Sequence, residues 1–189
     1  MKKKITIAVV CAVLSCVCLI GTTFAWLVDK TEPVKNTFTV GNVDITLTET
    51  GATLNGSVYE NSFKMVPGNT ITKDPKVTVI GGSEACWVFI KIEKSANFDT
   101  FMEYAVATGW TALAGNDGVY YREVAASAAD QPFVVLADNE VTVKNTVTKA
   151  MMDEIVADAS LKPTLTFTAY AVQRDNINTA AEAWTIANS

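Results

Sequence analysis

In a chain of 189 residues without a histidine, chemistry has to come from cysteines, carboxylates or glycine-rich turns. The missing histidine removes Ser-His-Asp and Cys-His arrangements and every histidine-based zinc site in one step. Cysteines stand at 11, 16, 18 and 86, and only Cys86 lies outside the N-terminal apolar stretch. It precedes Trp87 inside an apolar strand pattern, where a thiol reads as a small buried hydrophobe rather than a nucleophile. Carboxylates are plentiful but scattered, and the neighbours Asp153 and Glu154 read as a solvated helix face rather than an acid/base pair. Gly115-Asn116-Asp117-Gly118 lacks the spacing of a calcium loop and reads as a turn. Trp87, Trp110, Tyr120 and Tyr121 suit either a binding groove or the core and rim of a sandwich. No catalytic centre, metal site or cofactor is expected, so the chain reads as a non-enzyme.

The covalent event written most clearly into the sequence is proteolytic, at the N-terminus. Lys2, Lys3 and Lys4 form a positive n-region, Ile5 to Ile20 an apolar h-region, and Thr23 and Ala25 are small residues where a signal peptidase reads them. Cleavage before Trp26 is the expected outcome. The alternatives are a retained membrane anchor, since counting Phe24, Trp26, Leu27 and Val28 brings the apolar run to about 20 residues, or a lipoprotein attached at Cys16. Cleavage leaves 164 residues, room for one domain with a sizeable core. It also leaves 12 basic against 20 acidic residues and Cys86 as the single thiol, so no internal disulfide can form. A net charge of −8 disfavours nucleic acid and anionic lipid and helps keep an exported protein soluble. Contact with membrane is expected only through an uncleaved leader.

Beyond residue 37 the elements that position these residues alternate apolar and polar side chains at the period of strands. Phe38 and Val40, then Val43, Ile45 and Leu47 fall on one face, with Gly41-Asn42 as a turn or bulge between them. Further strands are expected at 76–80, 86–92, 118–124, 132–136, 140–143 and 164–172, punctuated by Pro67-Gly68-Asn69, Asp74-Pro75, Gly81-Gly82 and Gly115 to Gly118. Helical spacing occurs at Phe98, Phe101, Met102 and Ala105 and again over 151–159. Thr179-Ala-Ala-Glu182 fits a capping box opening a short helix through Trp184. Many short strands with few helices predict an all-β fold, an antiparallel β-sandwich of jelly-roll type. The expected organisation is a leader over 1–25, a mature N-terminal segment over 26–36 containing Pro33, and one sandwich domain over 37–189.

Three stretches carry a resemblance. Gly21-Thr-Thr-Phe-Ala-Trp-Leu-Val-Asp29, then Asn36-Thr-Phe-Thr-Val-Gly41-Asn-Val-Asp44-Ile-Thr-Leu-Thr-Glu49, then Val66-Pro-Gly68 with Lys73-Asp-Pro-Lys-Val77 are similar to the TasA and camelysin family of secreted Gram-positive proteins. In that family a Gly-Thr-aromatic-Ala block marks the site cut by the signal peptidase SipW. A Phe-x-x-Gly-x-x-Asp element, here Phe38, Gly41 and Asp44, opens the mature domain. The motifs cover about a third of the chain, and residues 95–160 match nothing in the pattern.

The resemblance implies a biofilm matrix fibre subunit, exported to the extracellular matrix or cell surface and cut by a SipW-type peptidase between Ala25 and Trp26. It implies homopolymerisation, in which the freed N-terminal segment of one copy completes the sheet of the next, with an assembly or anchoring matrix protein as a further partner. Trp26, Leu27 and Val28, with Val34, Phe38 and Val40, are the expected donor residues. For Phe38 and Val40 the first strand of the protein's own sheet stands equally open. Two other classes also remain: a monomeric surface-binding or accessory matrix module, and a camelysin-like metalloprotease, for which the missing histidine leaves no recognisable zinc site.

Overall fold

The computed structural model describes residues 41–189. Twelve short strands and three short helices follow along this span. In order they are β1 (Ile45–Thr48), β2 (Thr53–Asn55), β3 (Val58–Glu60), β4 (Thr70–Thr72), β5 (Lys76–Val79) and β6 (Cys86–Lys94). Helix α1 (Phe98–Phe101) leads into β7 (Met102–Glu103), β8 (Thr111–Ala112), β9 (Val119–Val124), β10 (Gln131–Val134) and β11 (Glu140–Val143). Helix α2 (Lys149–Ala157), β12 (Leu165–Gln173) and helix α3 (Ala180–Ala187) complete the chain.

All strand pairing is antiparallel, and the strands form two layers. One layer is built from β1-β5-β10 and β4-β11-β7. These two three-stranded sheets continue one another, because β4 leads into β5 while β10 leads into β11. Two hydrogen bonds bridge the join, from Val135 N–H to Pro75 O (3.0 Å) and from Lys73 N–H to Asn139 O (2.7 Å). The other layer is β12-β6-β9-β8. The small hairpin β2-β3 projects separately, with all six of its strand residues exposed. This is the antiparallel β-sandwich that the strand pattern predicts.

Alternation explains which side chains fill the space between the layers. On β5, Val77 and Val79 are buried while Lys76 faces outward. On β6, Cys86, Val88, Ile90 and Ile92 join the same core as Val77, Val79, Val141 and Val143. The opposite face of β6 is buried as well. Trp87 and Phe89 pack with Leu113, Val119, Ala183 and Trp184 in a second cluster beneath α3. A strand covered on both faces reads as an unbroken apolar run, which is why Cys86 to Ile90 does not alternate. Each fully buried side chain of this kind stabilises the fold by about 1.5–3 kcal/mol.

Several expected elements differ in detail. The spacing of Phe98, Phe101, Met102 and Ala105 yields only one helical turn. Met102 turns extended (φ −137°, ψ 160°) and pairs with Val143, so tertiary pairing overrides the local helical period. Asp74-Pro75 is not a turn but a break within one strand path, placed where proline has no N–H to give the ladder. Pro67-Gly68 does turn the chain: Asn69 N–H donates to Val66 O, and Gly68 at φ +79° takes the position where a type II turn needs glycine. The cap of α3 is half of the expected box. Thr179 Oγ1 accepts from Glu182 N–H, but the Glu182 carboxylate reaches back to Asn178 N–H instead of Thr179.

Candidate functional site

The residues that could do chemistry do not converge. Cys86 is fully buried on β6 between β9 and β12, and burial raises its thiol pKa, so it is an inert core residue as expected. Asp153 is exposed on α2 and pairs with Lys149 one turn away (2.6 Å). The Gly115 to Gly118 turn is anchored, with Trp184 Nε1 donating to Asn116 Oδ1 at 3.1 Å. Trp87 and Trp110 are buried, whereas Tyr120 and Tyr121 are partly buried. Among the described residues no three of Cys, Asp, Glu or His are grouped to hold a metal ion, and no helix is long and apolar enough to cross a membrane. Thr23, Ala25 and Trp26, and the donor residues Leu27, Val28, Val34, Phe38 and Val40, lie outside the described residues.

What the fold does present is an asymmetry between its two flanks. On one flank the edge of β10 is closed to further pairing. Pro132 lies within it, Trp110 Nε1 caps Val134 O at 2.8 Å, and Ala107 N–H donates to Val135 O at 2.9 Å. The facing edge strand, β8, is only two residues long. Such features blunt an edge against further strands.

The other flank carries β1 and β12. β12 pairs with β6 along its whole length, from Leu165 opposite Lys94 to Gln173 opposite Cys86. Its outer side pairs with no strand among the described residues. The sequence Leu-Thr-Phe-Thr-Ala-Tyr-Ala-Val-Gln has no charge and no proline, and Phe167, Ala169 and Ala171 are only partly buried although they pack against the core. A nine-residue uncharged edge of this kind is a template for another strand.

Both ends of the β12 edge are marked. At the Gln173 end lies Gly41, the first described residue. A Cβ built there would come 3.4 Å from Gln173 Oε1 and 3.3 Å from Glu84 Cγ, so Gly41 sits against the end of β12. Towards the other end, Lys73 Nζ lies 5.3 Å from the ring centroids of both Phe63 and Phe167 and 2.8 Å from Glu49 Oε2. This largely buried pair ties the ends of β1 and β4, and the segment after the hairpin, to β12.

A family model described as camelysin metallo-endopeptidase matches residues 1–97, just over half of the chain. The chain belongs to the camelysin family. No curated protein and no solved structure matches it. The match takes in β1 to β6 of this camelysin relative and ends before α1; β12 and α3 lie beyond it. The family description carries a metallo-endopeptidase activity, and the donor set here does not fit a catalytic zinc. No histidine occurs anywhere in the chain, and Cys86 is sealed in the core. The long edge of β12 escaped sequence reasoning as a site, because alternation marks a strand but not whether its second side finds a partner.

Proposed function

We propose that this camelysin-family protein is an exported structural subunit that polymerises by strand addition, with the β12 edge as acceptor and the N-terminal segment of another copy as donor. The observation that carries the reading is the nine-residue, uncharged, proline-free edge of β12, which no described strand covers. Its other support is the position of Gly41 beside Gln173, at one end of that edge. Trp26 to Val28, Val34, Phe38 and Val40 are the donor residues, freed when a SipW-type signal peptidase cuts after Ala25. Main-chain hydrogen bonds along β12 supply affinity, and alternate donor side chains cover Phe167, Ala169 and Ala171. Donation from one copy to the next does not close on itself, so the product is a filament. A chain whose own N-terminal segment lay on β12 would remain a monomer, and exchange between copies would convert it. A matrix protein that seeds or anchors the filament, at the cell surface or in the extracellular matrix, completes the reading.

Electron microscopy of residues 26–189 tests this directly. Filaments are expected from this form. They should be lost on deleting residues 26–34, and also on placing lysines on the edge with Thr166→Lys and Thr168→Lys. Undiminished filaments from either variant refute the assignment. The reading is structural rather than catalytic, so zinc-dependent, chelator-sensitive hydrolysis of casein by the purified protein would overturn that part of it.

A further inference from the structure

The chain has two arginines, and they are held differently. Arg174 is exposed and pairs with Glu123 at 2.8 Å. Arg122, on β9, pairs with no carboxylate among the described residues, although acidic residues outnumber basic ones in the chain 20 to 15. Its guanidinium carbon lies 3.8 Å from the ring centroid of Phe133 and 5.2 Å from that of Trp110. Gly109 closes over it from a third side. At φ +87° that glycine carries no side chain, and a Cβ there would come within 2.8 Å of Arg122 Nη2.

The slot is therefore shaped around a flat cation. Trp110 is itself fixed by its hydrogen bond to Val134 O, and Phe133 by pairing opposite Val77. Arg122 Nε is buried without an acceptor. Burial alone lowers the Arg122 pKa, with no neighbouring anion to oppose it. A plug for this flank of the sandwich would need only an apolar side chain. A charged fork held by two rings, with Nε unpartnered and no carboxylate beside it, is the arrangement that receives a planar anion in two parallel hydrogen bonds. The rings fix the guanidinium plane beforehand, which lowers the cost of binding.

We propose that Arg122, clasped by Trp110, Phe133 and Gly109, is a binding site for a carboxylate. The carboxylate comes either from a small organic acid or from an acidic side chain of a second copy of this chain, which carries an excess of them.

With only two arginines, the side-chain Nε–Hε spectrum of isotope-labelled protein holds two signals and answers the question directly. Sodium acetate is exchanged for sodium chloride at constant ionic strength. The Arg122 signal is expected to move along a saturating curve with the Trp110 indole signal, while Arg174 stays still. Movement of both arginines together without saturation, or of neither, overturns the site. Arg122→Lys keeps the charge but not the fork, and should weaken the acetate response of Trp110 roughly tenfold; an unchanged affinity overturns the proposal. The preserved Arg174 signal reports that the variant is folded. If the natural ligand is a second copy, the Arg122 signal shifts with protein concentration in acetate-free buffer and acetate competes that shift away. A saturable acetate response without concentration dependence assigns the site to a small acid.

Discussion

Trp184→Ala is the sharpest test of how the β12-β6-β9 layer is covered. Trp184 is 7% exposed, on the inner face of α3. Its ring lies 5.3 Å from Phe89 and 5.2 Å from Tyr170, and its Nε1 donates to Asn116 Oδ1 at 3.1 Å. Truncation removes a large buried aromatic and leaves a cavity over β6, which costs about 3–5 kcal/mol. At about 2–4 °C per kcal/mol for a chain of this size, the melting temperature should fall by about 6–20 °C. Trp184→Phe keeps an apolar ring but loses the indole donor, and should cost about 1–2 kcal/mol. Urea and thermal unfolding followed by circular dichroism measure both without depending on tryptophan emission. A loss below about 1 kcal/mol for Trp184→Ala would show that α3 is not part of the cooperative unit, and the second core cluster would then be wrongly drawn.

Lys73→Met leaves Glu49 largely buried without its partner and should cost about 2 kcal/mol in urea unfolding, discounted because both side chains keep some solvent contact (13% and 14% exposed). Adding Glu49→Gln should recover part of that loss, and strict additivity of the two changes would refute the coupling. Asp74 is held below its ordinary value of 3.8, chiefly by the Thr50 hydroxyl and then by the Thr50 N–H. A depressed folded-state pKa stabilises fully above about pH 4 and is lost as pH falls through the folded value. Asp74→Asn should therefore lower the urea midpoint near neutral pH and lower it less at about pH 3, whereas a pH-independent difference rejects the linkage. Cys86 should resist alkylation in the native protein and react once the protein is unfolded in urea. Rapid native-state labelling would contradict its place on the central strand.

Legibility followed how locally each signal was written. β6, β9, β11 and β12 were readable because four or more residues alternate or run apolar between turn residues, and α3 because Thr179 and Glu182 stand three apart. The β2-β3 hairpin was not: Leu54, Val58 and Tyr59 are apolar yet exposed, so no buried face set a period. β7 and β8 are two residues each and owe their strand form to partners at Val143 and Tyr121. Met102 would continue a helix on spacing alone, but pairing with β11 decides otherwise. For the sites the limit is sharper. Arg122, Trp110 and Phe133 come from three separate segments, and neither their stacking nor the missing carboxylate can be read along the chain. The open edge of β12 is likewise defined by what no described strand covers.

The register of β12 has a consequence for how the protein comes into being. Cys86 to Lys94 meet Gln173 to Leu165, so the central strand finds one of its two neighbours only near the end of the chain, and the helix that roofs its other face comes later still. Contacts this distant in sequence make folding slow and postpone closure of the core until almost the whole polypeptide is available. During synthesis β6 therefore waits for its β12 neighbour. A fold of this topology closes only once β12 and the helix after it have been made, so the late strand rather than the early ones sets when the core is sealed.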